Sequence, residues 1–419
     1  MTSPRRVLVL DGHSNQALAT VRSLGRAGHT VFVAAAHRRA LASWSRFSRG
    51  SVVVSRSLDG MRRLRRWARE RDIDVVLPMS EPGCILLNEH RDAWAADGVT
   101  LGCAPQATLQ RAFDKTATLT IARDVGVAAP EWSVPVDAGE AATTARRWGW
   151  RLVVKATRSH AWNGTEFLPD AGCAYVGSEP ELEPAIAPRR QGSQWPLLQR
   201  YVPGVGRGVF TVWHEGRPLA WFAHERLRDV RPTGSGSSLR RAARLDPRLR
   251  APAERLLRAL RWHGPAMVEF RDDGTTPWLM EINGRFWNSL QLSVDAGVDF
   301  PVLWLDALGG QSVDGVSDAY RTDVVLRWLW GDVKRLLYIA AGRPPGFTGP
   351  FPTLRDGLRE LVGRQPAGTR LETWRSDDRW PAVGEWVQGI QELLSRPVGQ
   401  GSAAGGSGPG RSSARAAGR

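Results

Sequence analysis

The sequence predicts a multidomain protein of mixed α/β and α+β class, with a parallel α/β domain at the N-terminus. Three observations carry that expectation. Short apolar runs alternate with amphipathic helical segments over the first hundred residues, the signature of a parallel sheet covered by helices. Two hairpin patterns interleave with helical segments between residues 105 and 310, which reads as a mixed α+β centre. The length of 419 residues, with 42% apolar and 24% charged composition, suits several packed domains and excludes a disordered or fibrous chain.

The elements follow in order. Val7 to Leu10 reads as a buried strand, and Ser14 caps a helix whose Ala17, Leu18, Val21 and Leu24 share one face before Gly25 and Gly28 end it. Val31 to Ala35 is a second strand. Met61 to Arg71 is a basic helix with Met61, Leu64 and Trp67 inward, and Ile73 to Leu77 is a third strand. The first loop, Asp11-Gly12-His13-Ser14-Asn15, lacks the G-x-G-x-x-G of a dinucleotide site, so this domain reads as a scaffold or substrate half-site.

Asp114 is a helix cap directly before Lys115, and Gly126 and Pro130 close that unit. Asp137 with Glu140 forms a capping box for a helix carrying Ala141, Ala145 and Trp148, which leads into the strand Arg151 to Lys155. Val209 to Trp213 and Pro218 to His224 flank the turn Glu215-Gly216. Asp246 and Pro247 open a helix with Leu249, Ala253, Leu256, Leu257 and Leu260 inward. Pro265 to Phe270 and Trp278 to Ile282 form a second hairpin around Asp272-Asp273-Gly274. Residues 302 to 395 hold amphipathic segments such as Trp328 to Leu337, and from about Pro397 the chain is Gly, Ser, Ala and Arg, too polar and small to pack a core.

Composition narrows the function. Cys84, Cys103 and Cys173 are odd in number and show no CxxC pairing, so they read as small buried hydrophobes rather than as a disulfide framework or zinc site. No apolar run reaches the ~18–20 residues of a membrane span, and Val7 to Leu10 is too short for a secretory signal, so the expected compartment is the cytoplasm. Net charge is +15, and Arg38 to Arg71 holds eleven arginines against Asp59 and Glu70. A solvated helix and loop explain that run better than a nucleic-acid surface, since aromatic interleaving is thin.

Three of the 57 basic residues are lysine: Lys115, Lys155 and Lys334. Where arginine is the default, a retained lysine marks a position suited to a compact ammonium on a flexible stem. Glu281 and Asn283, two apart on a strand, project from one face, and antiparallel pairing brings Glu269 beside them. Such hard oxygen ligands suit magnesium, while two exposed glutamates paired with arginines would give the same pattern. Arg226 and Arg228, on alternate positions, share a face that would grip an anionic substrate or phosphate; solvent exposure is the competing fate. The run Thr233 to Ser238 reads as a flexible loop beside the site or as a plain connector.

Read together, these segments resemble the ATP-grasp superfamily over residues 105 to 310, nearest to its biotin carboxylase and carbamoyl phosphate synthetase-like branch. Phe113-Asp114-Lys115 resembles the first nucleotide lysine, Val153-Val154-Lys155 the second, and Leu198-Gln199-Arg200-Tyr201-Val202-Pro203-Gly204 the adenine linker. Met267-Val268-Glu269-Phe270 with Met280-Glu281-Ile282-Asn283-Gly284-Arg285 resembles the metal-binding signature, the most specific part.

The resemblance implies a pre-ATP-grasp α/β domain over 1–104 and a two-lobed ATP-grasp module over 105–310, its small lid at about 130–200. A C-terminal helical extension over 311–396 and a disordered tail over 397–419 complete the chain. It implies ATP with Mg2+, Mn2+ being an acceptable replacement. Lys115 and Lys155 would contact phosphates, Gln199 and Val202 would offer backbone groups to adenine, and Glu269, Glu281 and Asn283 would hold the metal. Arg226 joins the nucleotide-binding set, and Arg285 with Lys155 would act on the transferred phosphate. The implied reaction phosphorylates a carboxylate to an acyl phosphate that an amine attacks, with small-molecule partners. The alternatives are bicarbonate chemistry of the biotin-carboxylase or carbamoyl-phosphate type, and a basic nucleic-acid-binding protein. Two departures stand out: the loop Ala156 to Thr165 has one glycine, and Arg207 stands where relatives place a ribose-binding acid or histidine.

Overall fold

Leu8 and its neighbours on either side in β1 (Arg6–Val9) point into two different cores, so this strand has no polar face. That is what an apolar run at the centre of a parallel sheet provides. The computed structural model describes residues 3–168, 171–311 and 318–394. β1 is joined by β2 (Thr30–Ala35), β3 (Ser48–Val53), β4 (Val75–Leu77) and β5 (Thr100–Leu101) in the all-parallel order β3-β2-β1-β4-β5. Ser14 caps the first helix as expected, its Oγ accepting from Ala17 N at 3.3 Å. β3 escapes sequence reading because it is an edge strand of alternating exposure, in which Ser48, Arg49 and Gly50 look like loop.

The arginine run does not form a bare basic surface. Arg56 pairs with Asp11 at 3.2 Å, Arg63 with Asp59 at 2.6 Å and Arg65 with Asp97, while Arg71 stacks on Trp67 at 4.3 Å.

A second sheet, antiparallel, comprises β6 (Trp132–Ser133), β7 (Leu152–Lys155), β8 (Cys173–Val176) and β9 (Leu197–Arg200) in the order β6-β9-β7-β8. Leu152, Val154, Val176 and Leu198 pack with Ala141 and Ala145 of the helix Ala138–Arg147 into its own core. Asp137 caps that helix through Glu140 N at 2.8 Å; Glu140 reaches back to Val136 N, one residue earlier than a capping box requires.

The third sheet has seven strands: β10 (Val205–His214), β11 (Arg217–Arg228), β12 (Leu239–Ala243), β13 (Gly264–Asp272), β14 (Pro277–Asn283), β15 (Val325–Arg327) and β16 (Thr369–Leu371). Their order is β14-β13-β10-β11-β12-β15-β16. Glu215 and Gly216 both have positive φ, 49° and 79°, the two-residue turn whose twist matches a hairpin. The stretch beyond residue 318 is therefore not purely helical. Three residues are too few to show a periodicity: β15 is buried throughout, while β16 is a partly exposed edge strand, so neither carries a strand signal in the sequence. The expected tail, 397–419, lies outside the described residues. Among the described residues no helix is long and apolar enough to cross a membrane.

Candidate active site

The site lies between the four-stranded and seven-stranded sheets. β13 and β14 pair so that Glu269 stands directly opposite Glu281, with Met267 opposite Asn283. On the other side of β13, Gly208 of β10 faces Glu269. Side chains of paired residues share a sheet face, so both carboxylates project toward β7 and β9.

Lys155 comes from β7 of the facing lobe, whereas Lys115 opens a helix that packs against β14 and meets that lobe where its N–H donates to Thr157 O at 2.9 Å. Asp114 caps the helix Lys115–Asp124 by accepting from Thr116 N at 3.0 Å and Ala117 N at 3.1 Å, which sets Lys115 at the first helical position. Burial pushes the Asp114 carboxyl up, but Thr116, the Ala117 amide and Arg158 outweigh it and hold it below the ordinary value. Lys115 Nζ donates to Ser159 Oγ at 2.8 Å, and Lys155 Nζ donates to Gln199 Oε1 at 2.8 Å. Both ammonium groups therefore rest on neutral oxygens.

Lys115, Lys155, Gln199, Val202, Glu269 and Glu281 line one cavity of about 280 Å³. Electrostatics tie its two walls together. Burial would raise the Glu281 carboxyl, yet Lys115 and Lys155, followed by Asn283 and Arg285, hold it below the ordinary range, so it is ionised. Burial is also the main reason the Lys155 ammonium is lowered, with Lys115 and Arg271 adding repulsion against Cys173 and Glu281.

Three of the predicted residues stand behind this lining. Asn283 Nδ2 donates to Glu269 Oε1 and Glu281 Oε1, each at 3.4 Å, while its Oδ1 accepts from Arg285 Nη2 at 2.9 Å. Arg285 also bonds the Phe286 carbonyl at 3.0 Å. Arg226, expected to contact nucleotide, instead pairs with Glu269 at 3.0 Å. It reaches over β10 because Gly206 is there: a Cβ at that position would stand 2.8 Å from its guanidinium. Arg228 is engaged elsewhere, with Asp332 at 2.9 Å, and so does not share an anion grip with Arg226. A bulge between the two breaks the alternation that the sequence reading assumed.

The donor set suits a hard cation. Two ionisable carboxylates face each other at directly opposed positions, and oxygen-only ligands of this kind hold Mg2+. Asn283 would join through oxygen after a turn of its amide, an assignment the hydrogen-bond network decides.

Other expectations need correcting. Arg207 belongs to the opposite face of β10, near Glu225 at 3.7 Å and Asp272 at 4.0 Å, so it does not replace a ribose ligand. Cys84 and Cys103 are buried, but Cys173 is exposed: it lines the cavity opposite Lys155 in the β7/β8 pair. Gln199, expected to act through its backbone, also commits its side chain to Lys155. Thr233, Gly234 and Ser235 line the cavity, with Tyr175 Oη donating to Thr233 O at 3.5 Å, so this loop links the two sheets. Gly234 has φ 101° and leaves space beside the Arg271 guanidinium.

Arg271, Tyr175 and Arg231 also line the cavity and were missed. Arg271 was legible, standing two residues after Glu269 on the same strand face; Tyr175 was not, because β8 carries no strong pattern.

Comparison with known proteins fits this geometry. Residues 196–330 match the family described as ATP-grasp in the biosynthetic pathway with Ter operon. The N5-carboxyaminoimidazole synthetase of Staphylococcus aureus superposes with a TM-score of 0.59 at 13% identity, over 75% of this chain and 80% of that one. The fold is ATP-grasp. Biotin carboxylase from Campylobacter jejuni, solved as a β-γ-ATP complex, gives a TM-score of 0.60 at 16% identity, over 77% and 74% of the two chains. The biotin carboxylase domain of Hydrogenobacter thermophilus 2-oxoglutarate carboxylase, solved with MgADP, ADP and bicarbonate, gives 0.57 at 16% identity, over 78% and 74%. No curated protein matches the sequence.

Proposed function

We propose that this protein is an ATP-dependent ligase that phosphorylates a small-molecule carboxylate and couples the acyl phosphate to an amine. One observation carries the reading: Glu269 and Glu281 stand opposite each other on paired strands and line a single cavity together with Lys115 and Lys155.

Lys115 and Lys155 hold the phosphates, as mobile point cations that follow charge during transfer. The adenine lies against Gln199 and Val202; among the described residues the Val202 backbone amide has no hydrogen-bond partner, which leaves it for a base edge. Glu269 and Glu281, with Asn283, hold Mg2+, and Mn2+ shares the same ligand preference. When bound, the ion neutralises charge on the triphosphate. Arg226 orients Glu269, and Arg285 orients Asn283; Arg285 would meet the transferred phosphate by turning from Asn283 toward the cavity. No nucleophilic side chain is required, since positioning and charge stabilisation supply the catalysis.

We divide the chain into the α/β domain 1–104, the ATP-grasp module 105–310 with its lid near 130–200, and the extension 311–396, and we place the reaction in the cytoplasm. A bicarbonate-using reading is favoured by one structural neighbour's ligands, since that carboxylase domain was solved with bicarbonate.

The test is ADP release with magnesium across carboxylic acids, amino acids and amines, run with and without bicarbonate. ADP formation that requires both an acid and an amine supports the ligase. Release driven by bicarbonate alone replaces it with the second reading. Nucleotide binding with no ADP under any pairing overturns both.

A further inference from the structure

The C-terminal helix Trp380–Leu394 packs with its polarity reversed. Surface helices bury an apolar stripe and expose polar residues. This one buries Pro381, Gly384, Glu385 and Gly389 and exposes Trp380, Val383, Trp386, Ile390, Leu393 and Leu394. The inward face is small because its neighbours are large: a Cβ on Gly384 would stand 2.6 Å from Trp44, and one on Gly389 2.2 Å from Trp330.

Polar contacts fix the seat. Gln388 donates to His13 O at 2.9 Å and accepts from Leu41 N at 3.1 Å, and Glu385 accepts from Trp328 at 2.6 Å and Thr373 at 2.9 Å. The helix cannot roll to hide its apolar arc without breaking these. Ile390 remains 50% exposed and Leu394 81%. Of fifteen exposed large hydrophobic side chains among the described residues, six lie on this one helix, so its apolar surface is concentrated and not scattered.

We propose that this face is a two-fold interface with a second copy of the chain. Three observations select that occupant. Val383, Trp386, Val387, Ile390, Leu393 and Leu394 repeat at the a, d and e spacing over two heptads, a surface that matches itself under two-fold rotation. The chain carries +15, yet Trp380–Leu394 contains no lysine or arginine, so two like-charged copies meet here without opposing cations. From the exposed fractions and side-chain areas of about 150–250 Å² for the aromatics, the helix offers on the order of 600 Å² of apolar surface. Two copies would therefore bury on the order of 1,200 Å² in total, the lower end of the range for a stable interface.

The experiment is sedimentation velocity on the full chain over a dilution series, comparing wild type with Val383→Glu/Ile390→Glu and with Leu394→Glu. Wild type should sediment at twice the 46.1 kDa chain mass. The double variant should be monomeric, its dissociation constant raised at least ~100-fold by buried unpaired charge. Leu394→Glu, at the most exposed apolar position of this helix, should weaken the dimer with no change in circular dichroism or thermal midpoint. A wild type that stays monomeric throughout, or variants that dimerise as tightly as wild type, overturns the proposal.

Discussion

Replacing Lys155 with methionine removes one ammonium while keeping the length of the side chain. Among the described residues that ammonium hydrogen-bonds Gln199 Oε1 alone; burial, the largest influence, and Lys115 oppose it, while Cys173 and Glu281 favour it. The free fold therefore loses little, and its thermal midpoint should hold or rise slightly. Binding should lose one charge-assisted hydrogen bond to phosphate, about 1.5–3 kcal/mol. At ~1.4 kcal/mol per decade this raises the dissociation constant for MgADP about 10- to 150-fold. Isothermal titration with MgADP and with adenosine separates the cause: affinity for adenosine, which carries no phosphate, should be unchanged. An MgADP affinity within twofold of wild type, or an equal loss for adenosine, refutes the assignment of Lys155 to the phosphates.

Arg226→Met should cost about 2 kcal/mol without metal, less than a fully buried pair because the Glu269 side chain keeps 24% exposure, and Mg2+ should recover part of the lost thermal midpoint. Thermal denaturation with and without Mg2+ checks this, and absence of any metal-dependent recovery counts against Glu269 as a ligand. Burial pushes the Glu385 carboxyl from 4.5 to about 7 despite donors from Thr373 and Trp328. The folded state thus binds this proton more tightly than the unfolded one; stability is full below pH ~4.5 and is lost as pH rises through about 7, by roughly 3 kcal/mol. Glu385→Gln should flatten the stability profile across that window in urea titrations, and an unaltered slope would show that Glu385 is not its source.

The sequence made the site's chemistry more legible than its surroundings. Period-two spacing placed Glu281 and Asn283 on one face, and the turn residues Asp273 and Gly274 fixed the hairpin that brings Glu269 opposite Glu281. The scarcity of lysine singled out Lys115 and Lys155, both of which reach the cavity. What stayed hidden depends on neighbours distant in sequence. Arg226 reads as a free cation until β10 and Gly206 are known to lie between it and Glu269. Arg240 sits wholly buried in β12 because Glu372, 132 residues away, meets it there, so a strand of Leu-Arg-Arg-Ala-Ala shows no apolar pattern. Cys173 is exposed for a related reason: its strand β8 is the outer edge of its sheet.

Metal and nucleotide should meet at one place, and their thermodynamic coupling measures that most directly. MgADP affinity should be compared with metal-free ADP affinity in wild type and in Glu269→Gln/Glu281→Gln. Magnesium should tighten ADP binding at least ~10-fold in wild type, a coupling of about 1.4 kcal/mol, and should have no effect in the double variant. Equal tightening by magnesium in both proteins would put the cation elsewhere and contradict the account.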